Sequence, residues 1–290
     1  MSKLADRAEP VEVADGYRAG RTLPFRVELV RQLKRRRTMV MGGVLFALPI
    51  ILLIAFQVGG DPGGNNNRVN LMDTATASGA NFAAVNLFSA AGFLLVIPVA
   101  LFCGDTVASE ASWSSLRYLL AAPVPRARLL WSKLAVGLSL SLAALVLLPI
   151  VALVVGTAAY GWGPLELPTG GSLSTGTAAQ RILIVVVYIM VSQLVTAALA
   201  FWLSTRTDAP LGAVGGAVFL TIIGSVLDEV TALGDWRHFL PAHWQYAWLD
   251  AVQPQLQWTD MIQGTSISVT YALVLFALAF RGFARKDVVS

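Results

Sequence analysis

Residues 134–156 read LAVGLSLSLAALVLLPIVALVVG, an unbroken run without one charge, and Lys133 stands immediately before it. An α-helix rises about 1.5 Å per residue, so a run of this length crosses a hydrocarbon core of about 30 Å. Burying Arg or Lys at the bilayer centre costs roughly 2.5–3.5 kcal/mol on insertion scales, so a charge-free window of this size reads as a transmembrane span. Five further windows have the same character: 39–58, 82–103, 182–203, 209–227 and 261–280. The expected fold is an all-α integral membrane protein of six transmembrane helices.

Basic residues gather in alternate gaps. All of the 21 Lys and Arg residues except Arg68, Arg181 and Arg237 fall in the N-terminal segment, the second gap, the fourth gap or the tail. The positive-inside rule then places both termini in the cytoplasm of a plasma-membrane protein, as an even span count also requires. Composition agrees, since charged residues make up 13% of the chain, about half the ~25% of a soluble domain. The net charge of +4 is no nucleic-acid footprint, because its residues sit where anionic lipid headgroups or a cytoplasmic partner would meet them. Cys103 is the single cysteine, so no intrachain disulfide can form.

Three regions follow: a disordered stretch over 1–22, an amphipathic interfacial helix over 23–38, and the transmembrane domain over 39–290. Phe25, Leu29 and Leu33 recur at helical spacing, with Arg26, Arg31, Lys34 and Arg35 largely on other faces. Such a helix suits the headgroup layer; a plain basic stop orienting span one is the alternative. The gaps around Asp61–Asn81 and Gly161–Gly176 are Gly- and Asn- or Ser/Thr-rich external loops. The gap before span six carries Trp236, Phe239, Trp244, Tyr246, Trp248 and Trp258. Aromatics with polar tips favour the membrane interface, which predicts a short re-entrant outer helix over Phe239–Val252, or else an aromatic belt on a surface loop. Pro49, Pro98 and Pro149 can each kink a span. Gly212, Gly216 and Gly224 share one face of span five, a spacing that permits close helix packing within the subunit or at a dimer interface.

The chemistry of the chain is sparse. No lysine lies in a GK[ST] context, so a P-loop is absent. His238 and His243 lack an acidic or thiol partner at metal-ligand spacing, and no metal site is expected. No nucleophile signature stands out; the chain is not expected to be an enzyme. Asn86 in span two and Tyr188, Ser192, Gln193 and Thr196 in span four are the intramembrane polar residues of interest. Interhelical hydrogen bonding is the ordinary use of such groups, and a substrate path is the other.

The second cytoplasmic gap is more specific. Gly104-Asp105-Thr106-Val107-Ala108-Ser109-Glu110 leaves span two, and LRYLLAAPVPR (residues 116–126) precedes a basic helix entering span three. With the basic lead-in helix, six spans and aromatic outer segment, this resembles the ABC-2 type transporter permease family, the membrane subunits of bacterial ABC exporters, over nearly residues 25–290. The resemblance implies a coupling helix in this loop that docks on a separate ATP-binding subunit, with Glu110, Arg117, Tyr118, Arg126 and Arg128 as coupling residues. It further implies that ATP and Mg are bound by that partner, that a second permease subunit completes the assembly, and that the chain itself carries no cofactor. The expected function is export of an amphipathic or lipid-like substrate by alternating access. The alternative is a membrane scaffold or sensor that recruits a cytoplasmic partner without transport.

Overall fold

In lipid every backbone polar group must be satisfied within its own segment, which leaves apolar windows little choice but helix. The computed structural model describes residues 25–59, 71–112 and 125–285. Helix α1 (Phe25–Leu33) leads into α2 (Arg36–Gly59), followed by α3 (Gly79–Ala91) and α4 (Val96–Ser112). The long α5 (Arg126–Tyr160) precedes a two-residue antiparallel ladder of β1 (Leu165–Glu166) with β2 (Ser172–Leu173). Helices α6 (Thr175–Ser192), α7 (Leu194–Arg206) and α8 (Pro210–Asp228) come next, then three 3-10 turns and α9 (Thr259–Ala284). Helices α2, α5, α6–α7, α8 and α9 give five runs long and apolar enough to cross a membrane, or six if α3 and α4 count as one bent span. The protein is all-α in character and membrane-embedded.

The apolar windows fall on these runs to within a residue, with 82–103 divided between α3 and α4, but the runs differ in shape from six simple spans. Helices α2 and α5 continue through Pro49 and Pro149. Only the α3–α4 pair is sharply bent, by 53°. Its break lies just ahead of Pro98, which sits in the first turn of α4, where a missing N–H costs nothing. Across the break Leu95 N–H donates to Ala90 O at 3.0 Å and Val96 N–H to Phe93 O at 3.1 Å, in place of the α-helical pattern. Helix α4 also runs further than expected, so Gly104–Glu110 is buried helix and not the start of a loop.

The aromatic segment differs more. Thr231–Phe239, Pro241–Trp244 and Ala247–Val252 are separate 3-10 turns, not one helix over Phe239–Val252. Pro241 lacks the N–H that a continuous helix would need there. Trp236 and Phe239 are exposed, whereas Trp244 and Trp248 are buried in the bundle. The segment is a plug over the helix ends as much as a belt.

Close helix packing is set by other glycines than those of span five. A Cβ on Gly79 would lie 2.7 Å from Thr157 N, and one on Gly156 would lie 2.8 Å from Phe82 Cδ1, so α3 and α5 touch backbone to backbone. On α8, Gly216 faces only the tip of Leu203 at 3.2 Å, Gly224 meets Ala242 Cβ at 3.7 Å, and Gly212 meets its own local turn. No close intrasubunit backbone contact therefore forms along the Gly212–Gly224 face. Helices α2 and α8 are peripheral, with 11% of their apolar window buried against 50% for α6–α7.

Candidate functional site

Helix α1 meets the ends of α4 and α5 through a cluster of opposed charges. Lys133, near the start of α5, is 3% exposed, and its Nζ donates to Glu28 Oε1 and to Glu110 Oε1, each at 2.8 Å. Arg31 donates to Glu28 at 2.8 Å and also reaches Glu110. Gln32 Nε2 adds a bond to Glu28 at 3.2 Å. One turn away, Asp105 of α4 accepts from Arg35 at 2.8 Å and pairs with Arg37. Three acids and four bases thus join α1, the start of α2, α4 and α5. Charge-assisted bonds of this kind are about twice as strong as neutral ones, and a buried member left alone is costly.

Glu28 is the acid that α1 contributes. Burial pushes its carboxyl up, but the Lys133 ammonium and then Arg31 outweigh that and hold it below its ordinary value. Burial likewise pulls Arg31 down, while Glu28 and Glu110 together raise it above its ordinary range. The same geometry corrects the reading of α1. Its buried residues are Glu28 and Gln32, whereas Phe25, Val30 and Leu33 are exposed. Phe25 and Leu33 of the apolar stripe therefore face away from the protein, while Leu29 of the same stripe packs half-buried beside Glu28 and Gln32 on the docked face.

Glu110 is placed differently from what a partner-facing coupling charge requires: it is buried and turned inward to Lys133 and Arg31. Arg117 and Tyr118 lie outside the described residues. Arg126 is exposed at the start of α5 and donates to Ala284 O at 3.2 Å, while Arg128, two residues on, is half-buried. Glu28, Arg35, Arg37, Asp105 and Lys133 were not expected to act together. Glu28 was the one available sign, an acid placed within a strongly basic helix.

A second arrangement lies at mid-bundle. Gln193 occupies the junction of α6 and α7, and its Oε1 is buried without a hydrogen-bond partner. Two cavities meet at this side chain. One, of about 310 Å³, lies against α4, α5 and α6; the other, of about 290 Å³, opens toward α8, the Pro241–Trp244 turn and α9. Ser192 and Thr196 line the second. Tyr188 is held elsewhere: its hydroxyl donates to Trp244 O at 2.6 Å, and its ring borders a separate cavity of about 440 Å³ between α6 and α9. Asn86 is fully buried in α3, with Nδ2 donating to Phe82 O at 2.8 Å. The five polar residues are therefore not one lining: Ser192, Gln193 and Thr196 come together, Tyr188 borders a different cavity, and Asn86 is buried apart from them with its Oδ1 unpartnered.

Among the described residues no group of three or more His, Cys, Asp or Glu side chains could hold a metal ion. His243 Nδ1 lies 2.7 Å from Asp228 Oδ1 at the aromatic end. His238 stacks beside His243 with ring centroids 4.8 Å apart.

A family model described as "Protein of unknown function (DUF2705)" matches residues 51–289, most of the chain. The chain belongs to that family. The matched stretch takes in Asp105, Glu110, Lys133 and Gln193 and starts within α2, after the residues that α1 brings to the ion cluster. No curated protein matches the chain.

Proposed function

We propose that this protein is the membrane-spanning permease subunit of an ATP-driven ABC exporter of the ABC-2 type, with six spans, both termini in the cytoplasm and the aromatic segment re-entering the outer leaflet. The observation that carries the reading is the ion cluster at the root of the α4–α5 connection. Glu110 stands in the last turn of the helix before that connection and Lys133 near the start of the one after it, and they pair with each other and with α1. A docked ATPase can move spans only if the loop it pushes is anchored at both ends. Charge pairs buried in this way supply stiff anchors. Arg117, Tyr118, Arg126 and Arg128 are then the partner-facing coupling residues, and Glu110 is the anchor behind them. The exposed apolar faces of α2 and α8 offer surface to lipid and to a second permease subunit, which can be identical or related. ATP and Mg belong to the separate ATPase chain.

The test uses the full chain co-expressed with a stand-alone P-loop ATPase from an adjacent reading frame; the absence of any such frame would itself favour the scaffold. Arg117→Glu is expected to lower ATPase capture by roughly tenfold, the scale of losing one interfacial charge pair, with insertion unchanged. Capture and ATP hydrolysis equal to the parent would remove the coupling role. Capture that never drives transport of any amphipathic solute would favour the scaffold. Orientation is checked separately, because Cys103 is buried and does not interfere. Ser172→Cys should label on intact cells with an impermeant thiol reagent, and Ala127→Cys only after permeabilisation; both positions are exposed.

A further inference from the structure

Gln193 presents an amide where a membrane helix would ordinarily carry an apolar side chain. It is 6% exposed and its Oε1 has no partner. A buried carbonyl left unpaired costs about 1–3 kcal/mol, so a group of this kind is retained where something else meets it. Gln193 is also the one residue that borders both the 310 Å³ and the 290 Å³ cavity. Cavities near 300 Å³ are at the lower end of small-molecule sites, and two that meet at one residue accommodate a longer ligand.

The walls define what that ligand carries. Ser192 Oγ donates to Ile189 O and Thr221 Oγ1 to Ala217 O, each at 2.9 Å. Their protons are spent on their own helices, so toward the second cavity they offer lone pairs. Gln193 Oε1 offers another. A donor on the ligand would meet these acceptors, Gln193 Oε1 above all, while Thr196, Gln245 and Tyr271 place further hydroxyl and amide groups along the same wall. Neither cavity is lined by an acidic or basic residue, so a charged headgroup would be desolvated without a counter-ion, at a cost of several kcal/mol. Apart from Ser139 and Ser141 in the first cavity and Thr196, Gln245 and Tyr271 in the second, the remaining lining is mostly aliphatic.

We propose that Gln193 anchors a binding site for an uncharged amphipathic molecule bearing a hydrogen-bond donor, such as an amide or alcohol, whose apolar body lies in the two cavities meeting at this residue. The site rests on the transport reading for its meaning as a substrate path, but binding itself requires no ATPase.

The experiment photolabels the full chain in lipid nanodiscs with a diazirine-bearing long-chain primary amide, and maps the adduct by peptide mass spectrometry. Labelling is expected on α7 and α8 near Thr196 and Thr221. The unlabelled amide should compete, and the methyl ester of the same chain, which has no donor, should compete roughly tenfold less well, the scale of one buried hydrogen bond. Gln193→Leu should abolish that difference. Gln193→Glu should turn the preference toward the long-chain amine, a reversal that a merely structural role would not produce. Equal competition by amide and ester on the unaltered protein would overturn the inference without reliance on any variant. So would adducts spread over lipid-facing residues such as Leu211 and Phe219. Specific labelling in a chain that never couples to an ATPase would keep this site and remove the exporter reading; ATPase coupling without labelling would do the reverse.

Discussion

At the α1 end of the bundle, Lys133 sits between two carboxylates where water scarcely reaches; at the aromatic end, Trp248 is fully buried with its ring against Phe88. Both ends join elements distant in sequence, but the physics differs. Opposed charges define a single geometry, and the loss of one partner leaves another stranded in low dielectric. Rings fill volume and tolerate small shifts, so their losses scale with the area removed. On the proposed transport reading this asymmetry supplies a rigid clamp beside the α4–α5 connection and a deformable plug over the opposite helix ends.

The sharpest way to break the comparison is Lys133→Met. With the ammonium gone, Glu28 and Glu110 face each other with the half-exposed Arg31 as the cation they share. The expected loss is about 3–5 kcal/mol, read as a lowered unfolding temperature in detergent and as new thiol labelling at Leu29→Cys when α1 detaches. A loss no larger than that of a surface substitution would mean that the cluster is not a clamp. Trp248→Ala at the other end should cost about 3 kcal/mol by cavity formation. It should loosen the 3-10 segment to proteases and leave α1 docked.

Acidification separates the ends without mutation. The folded-state pKa of Glu28 is lowered from its ordinary value of 4.5, so its contribution is fully present above that value and is lost as pH falls through the lower folded-state value. Labelling of Leu29→Cys should therefore stay flat from pH 7 to about 5 and rise only below about 4.5. A rise that begins near neutrality would assign α1 docking to some other group. Tyr188→Phe is a smaller change at the aromatic end. It removes the bond to Trp244 O and should cost about 1 kcal/mol, seen as faster hydrogen exchange over Pro241–Trp244. Least of all, Arg237→Ala removes a loose 3.9 Å contact with Asp228 and should shift stability by under about 0.5 kcal/mol. A larger effect there would mean that the aromatic end also depends on charge.

Much of this molecule was legible in one dimension. The span over 134–156 forms the middle of α5, and the window over 209–227 coincides with α8 almost residue for residue. The aromatic segment was legible as a distinct element but not as 3-10 turns, because which tryptophans turn inward depends on the helices beneath them. The glycines of span five followed a recognised spacing, but the close α3–α5 contact uses Gly79 and Gly156, far apart in sequence and without any pattern. Glu110 stands out in sequence for its place after span two, but nothing in one dimension joins it to Lys133, which by position is an orienting charge, or to Glu28, one acid among many bases.

What the sequence by itself determined is therefore where the chain is helical and apolar enough to enter a membrane. The cost of carrying charge or an unpaired peptide group into lipid is paid residue by residue within each segment. What only the tertiary structure decided is which polar groups meet. Lys133 reaches Glu28 across 105 positions of chain, and Gln193 comes to stand between two cavities walled by helices on either side of it in sequence. Such meetings depend on the register and rotation at which helices pack, and no local periodicity encodes either.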